Sequence, residues 1–253
     1  MPTFLRRRRT WLIAVPVVAV LLAVGGPFVY IHFIEGKPAA KLSFDDLATT
    51  TTVAGSTGTT TVAGASGTAT TGAGATTAAA RDGIDGTWKV GTGSQAGYRV
   101  PETLFGQKTE AVGRTTGVTG SLTIAGTTVS AATVTVDLAT VKSDQSQRDG
   151  QFTGRIMNTA SFPTATFTLT APVSLGTVPA DKVEVPLKLT GDLKVHGATK
   201  SVTVDVTARR NGNTIEVTGT IPVTFADFGI ANPSFGPASV GDTGTIEFAL
   251  VLT

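Results

Sequence analysis

The chain has 253 residues, with 20 Lys+Arg, 18 Asp+Glu, no cysteine and a net charge of +2. That balance supplies no broad basic face for nucleic acid, and the missing cysteines exclude disulfide staples and thiol chemistry. The length is used unevenly: only residues 83–253 read as a folded domain, and they carry 13 Lys+Arg against 14 Asp+Glu, a net charge of −1.

Residues 1–10 are a basic tail containing Arg6, Arg7, Arg8 and Arg9. Residues 11–34 follow with no Asp, Glu, Lys or Arg. As a helix this run would span about 36 Å, enough to cross a hydrocarbon core with some tilt. Pro16 falls near its start, where a missing N–H costs little, and Trp11 and Tyr30 sit near its ends, where amphipathic rings favour the interface. The arginines keep the N-terminus cytoplasmic and place the rest of the chain outside. The reading is a single-pass signal anchor, tying an extracytoplasmic domain to the cell membrane through its N-terminal helix. The rival is a cleaved signal peptide, with residues 12–24 as its apolar run before Gly25-Gly26-Pro27, which would release the domain. No A-x-A-like site stands at that place, and the apolar run continues beyond it. His32, at the outer end, reads as an interfacial residue.

Residues 35–82 read as a flexible linker. Residues 50–58 (TTTVAGSTG) are followed by 59–67 (TTTVAGASG), a tandem repeat too short and polar to form a solenoid. From Thr49 to Ala80 there is no charge and no aromatic, so the segment cannot offset its ordering entropy by burial. A tether of this kind would have a root-mean-square span of about 30 Å, and its threonines are compatible with O-glycans. A short helix starting at Phe44 is an option just before it.

Beyond residue 83 the apolar residues recur with period two. Val183, Val185, Leu187 and Leu189 alternate with Glu184, Lys188 and Thr190, and the phase continues through Leu193 and Val195 against Asp192, Lys194 and His196. Val202, Val204 and Val206, then Ile215, Val217, Ile221, Val223 and Phe225, then Ile246, Phe248, Leu250 and Leu252 repeat the pattern. Leu122, Ile124, Val134, Val136, Leu138, Phe167 and Leu169 show it earlier. Turn signals at Ala125-Gly126, Gly197-Ala198 and Asn211-Gly212-Asn213 separate the strands. The one helix candidate is residues 147–158, with Phe152 and Ile156 on one face. Hairpin-linked strands with one apolar and one polar face predict an antiparallel barrel or sandwich; alternation alone leaves the two open. A transmembrane barrel is disfavoured, since the apolar N-terminal helix already accounts for a membrane.

The polar inventory of the domain is thin. His196 is its single histidine, no nucleophile elbow is present, and a zinc or iron site lacks His and Cys ligands. His196 reads as structural: a turn hydrogen bond, an exposed rim position, or a partner of Asp192. The glycines of residues 113–120 lack the lysine and helix of a phosphate loop. Ser143-Asp144-Gln145-Ser146-Gln147-Arg148-Asp149 reads as a helix cap and salt bridge, with Asp144 or Ser146 as the cap. The expectation is no catalytic residue, no metal and no cofactor.

Five elements stand in order along residues 83–253: Trp88…Tyr98-Arg99-Val100; Ser143-Asp144…Arg148-Asp149; Phe162-Pro163…Thr166-Phe167; Gly191-Asp192-Leu193-Lys194-Val195-His196-Gly197-Ala198-Thr199-Lys200; and Phe225-Ala226-Asp227-Phe228-Gly229-Ile230. Together they resemble the YceI-like family. The resemblance implies an all-β, antiparallel, lipocalin-like β-barrel with one short helix and an elongated cavity for a polyisoprenoid or similar long apolar chain, without catalysis. Gly93-Ser94 stands where the family often has His-Ser, so a head-group role for that histidine does not carry over. The aromatic load, taken with the resemblance, places Tyr98, Phe105, Phe152, Phe167 and Phe228 on the cavity wall. The leading expectation is a membrane-tethered binder or carrier of isoprenoid-like lipid. The alternative is a surface module with a solid barrel core that binds protein or cell-wall polymer through its loops.

Overall fold

A computed structural model describes residues 38–48 and 83–253. The period-two segments form thirteen strands: β1 (Gly86–Lys89), β2 (Gln95–Leu104), β3 (Gln107–Thr115), β4 (Val118–Ala125), β5 (Thr128–Asp137), β6 (Lys142–Ser143), β7 (Thr164–Leu169), β8 (Val173–Ser174), β9 (Val185–Val195), β10 (Ala198–Asn211), β11 (Thr214–Thr224), β12 (Ala238–Val240) and β13 (Thr243–Leu252). Every ladder between them is antiparallel. The sheet order β4-β5-β7-β9-β10-β11-β13 follows the chain. The sheet then curls on itself: β13 pairs with β2 from Thr245↔Arg99 to Ala249↔Gln95, and further along Leu252 bridges Val90 at the end of β1. β1 and β2 in turn pair with β4 and β3. The result is an antiparallel sheet curled into a barrel, as the lipocalin-like expectation requires; an open choice between barrel and sandwich is decided by the β13–β2 ladder, which no local pattern encodes.

The alternation sorts inside from outside. Leu193 and Val195 of β9, Val204 and Val206 of β10 and Ile221 and Val223 of β11 are buried in one cluster, while Asp192, Lys194, Thr203 and Asp205 face solvent. One end of the barrel is plugged. Trp88 is 0% exposed, packs with Ile84, Ile124, Val129, Ile215 and Leu252, and donates its indole N–H to the Ile84 carbonyl at 2.8 Å.

Four hairpins turn in two residues, and two of these turns share one geometry, Phe105-Gly106 between β2 and β3 and His196-Gly197 between β9 and β10. All four residues have positive φ, the geometry whose twist matches paired strands. The second turn lies one residue earlier than the Gly197-Ala198 signal suggested, because Ala198 already pairs with Val195. The helix expected over 147–158 is α2 (Ser146–Gln151), continued by a π-turn over Phe152–Ile156. Its N-cap is Gln145, without a side-chain cap bond. Asp144 pairs instead with Arg148, and Asp149 accepts from the Ser143 backbone and hydroxyl, each at 2.7 Å.

Residues 38–48, at the start of the segment expected as linker, hold the short helix that was an option from Phe44. They lie against the barrel and end in α1 (Phe44–Ala48), which Ser43 and Asp46 cap and which buries Phe44 and Leu47 against Ala249. The Arg209 guanidinium lies 4.1 Å from the centroid of the Phe44 ring. Upstream, the carbonyls of Ala39 and Ala40 accept from Arg99 and Arg114. Those arginines flank Glu247, which is 1% exposed, and Arg99 also meets Glu110 at 2.6 Å, so two cations and two carboxylates compensate one another under the strap. Two apolar side chains with a docking face on β13 outweigh the polar composition of the rest of the segment. The expected transmembrane helix, 11–34, and the Thr-rich repeat lie outside the described residues; among the described residues no helix is long and apolar enough to cross a membrane.

A candidate lipid cavity in the barrel

The interior is not solid. A cavity of about 480 Å³ opens at the end of the barrel opposite Trp88, within the range of small-ligand sites. Its wall is aliphatic and small: Val100 and Leu104 from β2, Ala111 from β3, Val136 from β5, Ala165 from β7, Val195 from β9, Val223 from β11 and Ile246 from β13. Phe152, Ile156 and Met157 cover it from the π-turn side.

Space inside depends on where the rings go. Tyr98 pairs across the ladder with Gly113, and its ring occupies the place a Gly113 side chain would take. It stacks on Phe152 with centroids 5.0 Å apart and planes 16° from parallel. Phe248 lies over its cross-strand partner Gly219, and Phe167 over Gly191. Of these three rings only Tyr98 borders the cavity, where it covers the wall over glycine rather than filling the lumen.

Of the five aromatics expected at the cavity, Tyr98, Phe105 and Phe152 stand on its wall. Phe105 does so from the hairpin tip at the mouth, 48% exposed. Phe167 and Phe228 do not line it. Phe167 is drawn aside by the gap over Gly191, and Phe228 is held in the 3₁₀ turn Phe225–Phe228, buried among the core residues. His196 lies beside Phe228, not on the cavity: its Nδ1–H donates to the Phe228 carbonyl at 3.2 Å and its ring tilts against Phe162 at 4.6 Å. Of the structural placements expected for this histidine, the turn with a hydrogen bond is the one observed.

Two features of the site escaped the sequence reading. Glu102 and Arg148 both reach the cavity and meet at 3.2 Å, with Arg148 also bound to Asp144. Their separation along the chain leaves no local signal for the pair. Phe235, 49% exposed, stands at the mouth between Pro233 and Pro237; an aromatic among turn residues was the available clue. The lumen is otherwise neutral. Burial pushes the Tyr98 phenol well above its ordinary pKa, against the opposing pull of Arg148, so it stays protonated. Among the described residues no group of three or more His, Cys, Asp or Glu is arranged to hold a metal.

A curled antiparallel sheet, plugged at one end and enclosing an apolar lumen open at the other, defines a lipocalin-like barrel with an internal cavity. The chain belongs to the YceI-like domain family, which matches residues 88–252. A solved structure of a polyisoprenoid binding domain from Saccharophagus degradans, implicated in plant cell wall breakdown, aligns with a TM-score of 0.53 at 18% identity, covering 67% of this chain and 98% of that one; it shares the fold. BcnA of Burkholderia cenocepacia aligns at 0.49 and 22% identity over 63% and 96% of the two chains. A YCEI protein of Campylobacter jejuni aligns at 0.41 and 18% over 55% and 83%. A comparison with curated proteins gives no match.

Proposed function

We propose that this protein binds or carries a long, isoprenoid-like lipid in the lumen of its barrel, at the outer face of the membrane to which residues 11–34 tether it, with no catalytic step. The observation that carries the reading is the apolar cavity of about 480 Å³, walled by aliphatic side chains and by the Tyr98 ring that lies over Gly113. Each methylene buried there contributes about 0.8 kcal/mol, so a chain binds without a specific polar contact. The Glu102–Arg148 pair offers the polar end of such a lipid one charged neighbourhood on the wall. Membership of the YceI-like family, and the ligand class for which the Saccharophagus degradans domain is described, support the same chemistry. A solid-core interaction module would not keep such a lumen. Tethering beside a bilayer raises the effective concentration of lipid at the mouth.

The test is native mass spectrometry of the full chain after mild detergent extraction, followed by uptake of a fluorescent polyprenol by lipid-stripped protein. A retained long-chain lipid and saturable uptake are expected. A lipid-free spectrum together with absent uptake by folded protein overturns the proposal.

A further inference from the structure

The geometry points to the rim of the cavity mouth as a bilayer-docking surface, pressed toward its own membrane by the strap of residues 38–48. This rests on the reading of residues 11–34 as a membrane anchor.

The first observation is the rim. Phe105 and Phe235 are 48% and 49% exposed at the opening, and the Arg155 guanidinium lies 5.8 Å from the centroid of the Phe235 ring. Exposed rings with an adjacent cation, around an apolar hole, suit the boundary between headgroups and acyl chains. Phe105 also has φ 50°, at the first position of a two-residue turn where Gly, Asn and Asp are favoured. A bulky side chain there is a backbone outlier, and outliers of this kind collect at functional sites.

The second observation is the direction of the strap. Ala39 is held by Arg99, whose strand partner is Thr245. α1 then packs on Ala249, further along β13 toward the plugged end. The strap therefore enters from the mouth side. Ile34, the last residue of the apolar run, is four positions before Pro38, a reach of about 14 Å at most. The Thr-rich stretch does not lengthen that reach, because it follows the strap in the chain and does not lie between Ile34 and Pro38. The bilayer that holds the anchor is thus the surface facing the mouth, and an apolar chain enters the lumen without crossing water.

The chain has no cysteine, so single cysteines can carry a fluorophore in the full-length protein. Phe235→Cys reports the mouth. Val183→Cys, at a residue 50% exposed beside the turn that bonds Arg210 near the plugged end, reports the far side. Both are reconstituted in phosphatidylcholine–phosphatidylglycerol vesicles containing nitroxide-labelled phospholipid. We expect several-fold stronger quenching at position 235 than at 183. Adding Phe44→Ser and Leu47→Ser, which release the strap without touching the cavity, should abolish the difference, while circular dichroism verifies the barrel. Equal quenching at the two sites, stronger quenching at 183, or none at either overturns the inference; an asymmetry that survives release of the strap overturns the role given to the strap. The readout does not depend on what fills the cavity, so loss of the lipid-binding proposal and loss of this one are told apart.

Discussion

Tyr98 and Gly113 face each other across β2 and β3, and the tyrosine ring fills the space that any side chain on the glycine would need. A Cβ on Gly113 would stand 2.7 Å from Tyr98 Cζ and 2.9 Å from its phenolic oxygen. The lumen exists partly because this ring, which stands on the cavity wall, has a glycine on which to lie.

Gly113→Ala should therefore force Tyr98 off the wall and break its stack on Phe152. Overpacking of this kind costs about 1–3 kcal/mol, and the displaced ring should also lower lipid uptake. Urea unfolding and polyprenol titration measure the two effects. A variant as stable as the parent, with unchanged uptake, would show that the ring does not define the space.

Trp88 plugs the closed end with no exposed surface. Trp88→Ala should cost about 3–5 kcal/mol, the usual loss for removing a buried large aromatic. Where the barrel still folds, the lumen should lengthen and accept longer chains, which competition between short and long polyprenols reads directly.

The Tyr98 phenol gives a pH signature. Burial raises its pKa in the folded protein, whereas an unfolded tyrosine ionises near pH 10. Above about pH 10 the unfolded state binds fewer protons than the folded state, so this group's contribution to stability falls as pH rises. Below that value both states are protonated and the contribution is constant. Tyr98→Phe should flatten the alkaline limb of the stability–pH curve, measured by urea unfolding across the range. An equally steep limb in the variant would assign it to other groups.

His196 and Phe167 should respond in opposite ways. His196→Ala removes one hydrogen bond to the Phe228 carbonyl, a net loss of about 1 kcal/mol, and should leave lipid uptake within a few-fold, since the histidine does not line the cavity. Phe167→Asp places a carboxylate against the apolar core cluster, an environment that penalises an unpaired charge heavily, and should unfold the domain. Circular dichroism with lipid extraction checks both. Complete loss of ligand in a folded His196→Ala protein would assign head-group recognition to that histidine.

The sequence by itself determined the strand content, the inward and outward faces, and the family of the domain. These are local properties: alternation at period two needs only the pleat, and Val204 or Asp205 shows its side without knowledge of its neighbours. The five ordered elements from Trp88 to Ile230 likewise carry the family in short runs of residues. What tertiary structure alone decided are relationships between distant segments. Pairing of Thr245 with Arg99 curls the sheet into a barrel rather than leaving a sandwich. Placement in the curled sheet decides which aromatics border the lumen: Tyr98, over Gly113, lies on its wall, and Phe167, over Gly191, does not. Glu102 finds Arg148 only after the barrel has formed. Phe44 and Leu47, unremarkable within a polar stretch, become a strap because Ala249 offers them a docking face. In each case the deciding energy belongs to a contact between segments far apart in the chain, and a linear pattern records only the two halves of that contact, not their meeting.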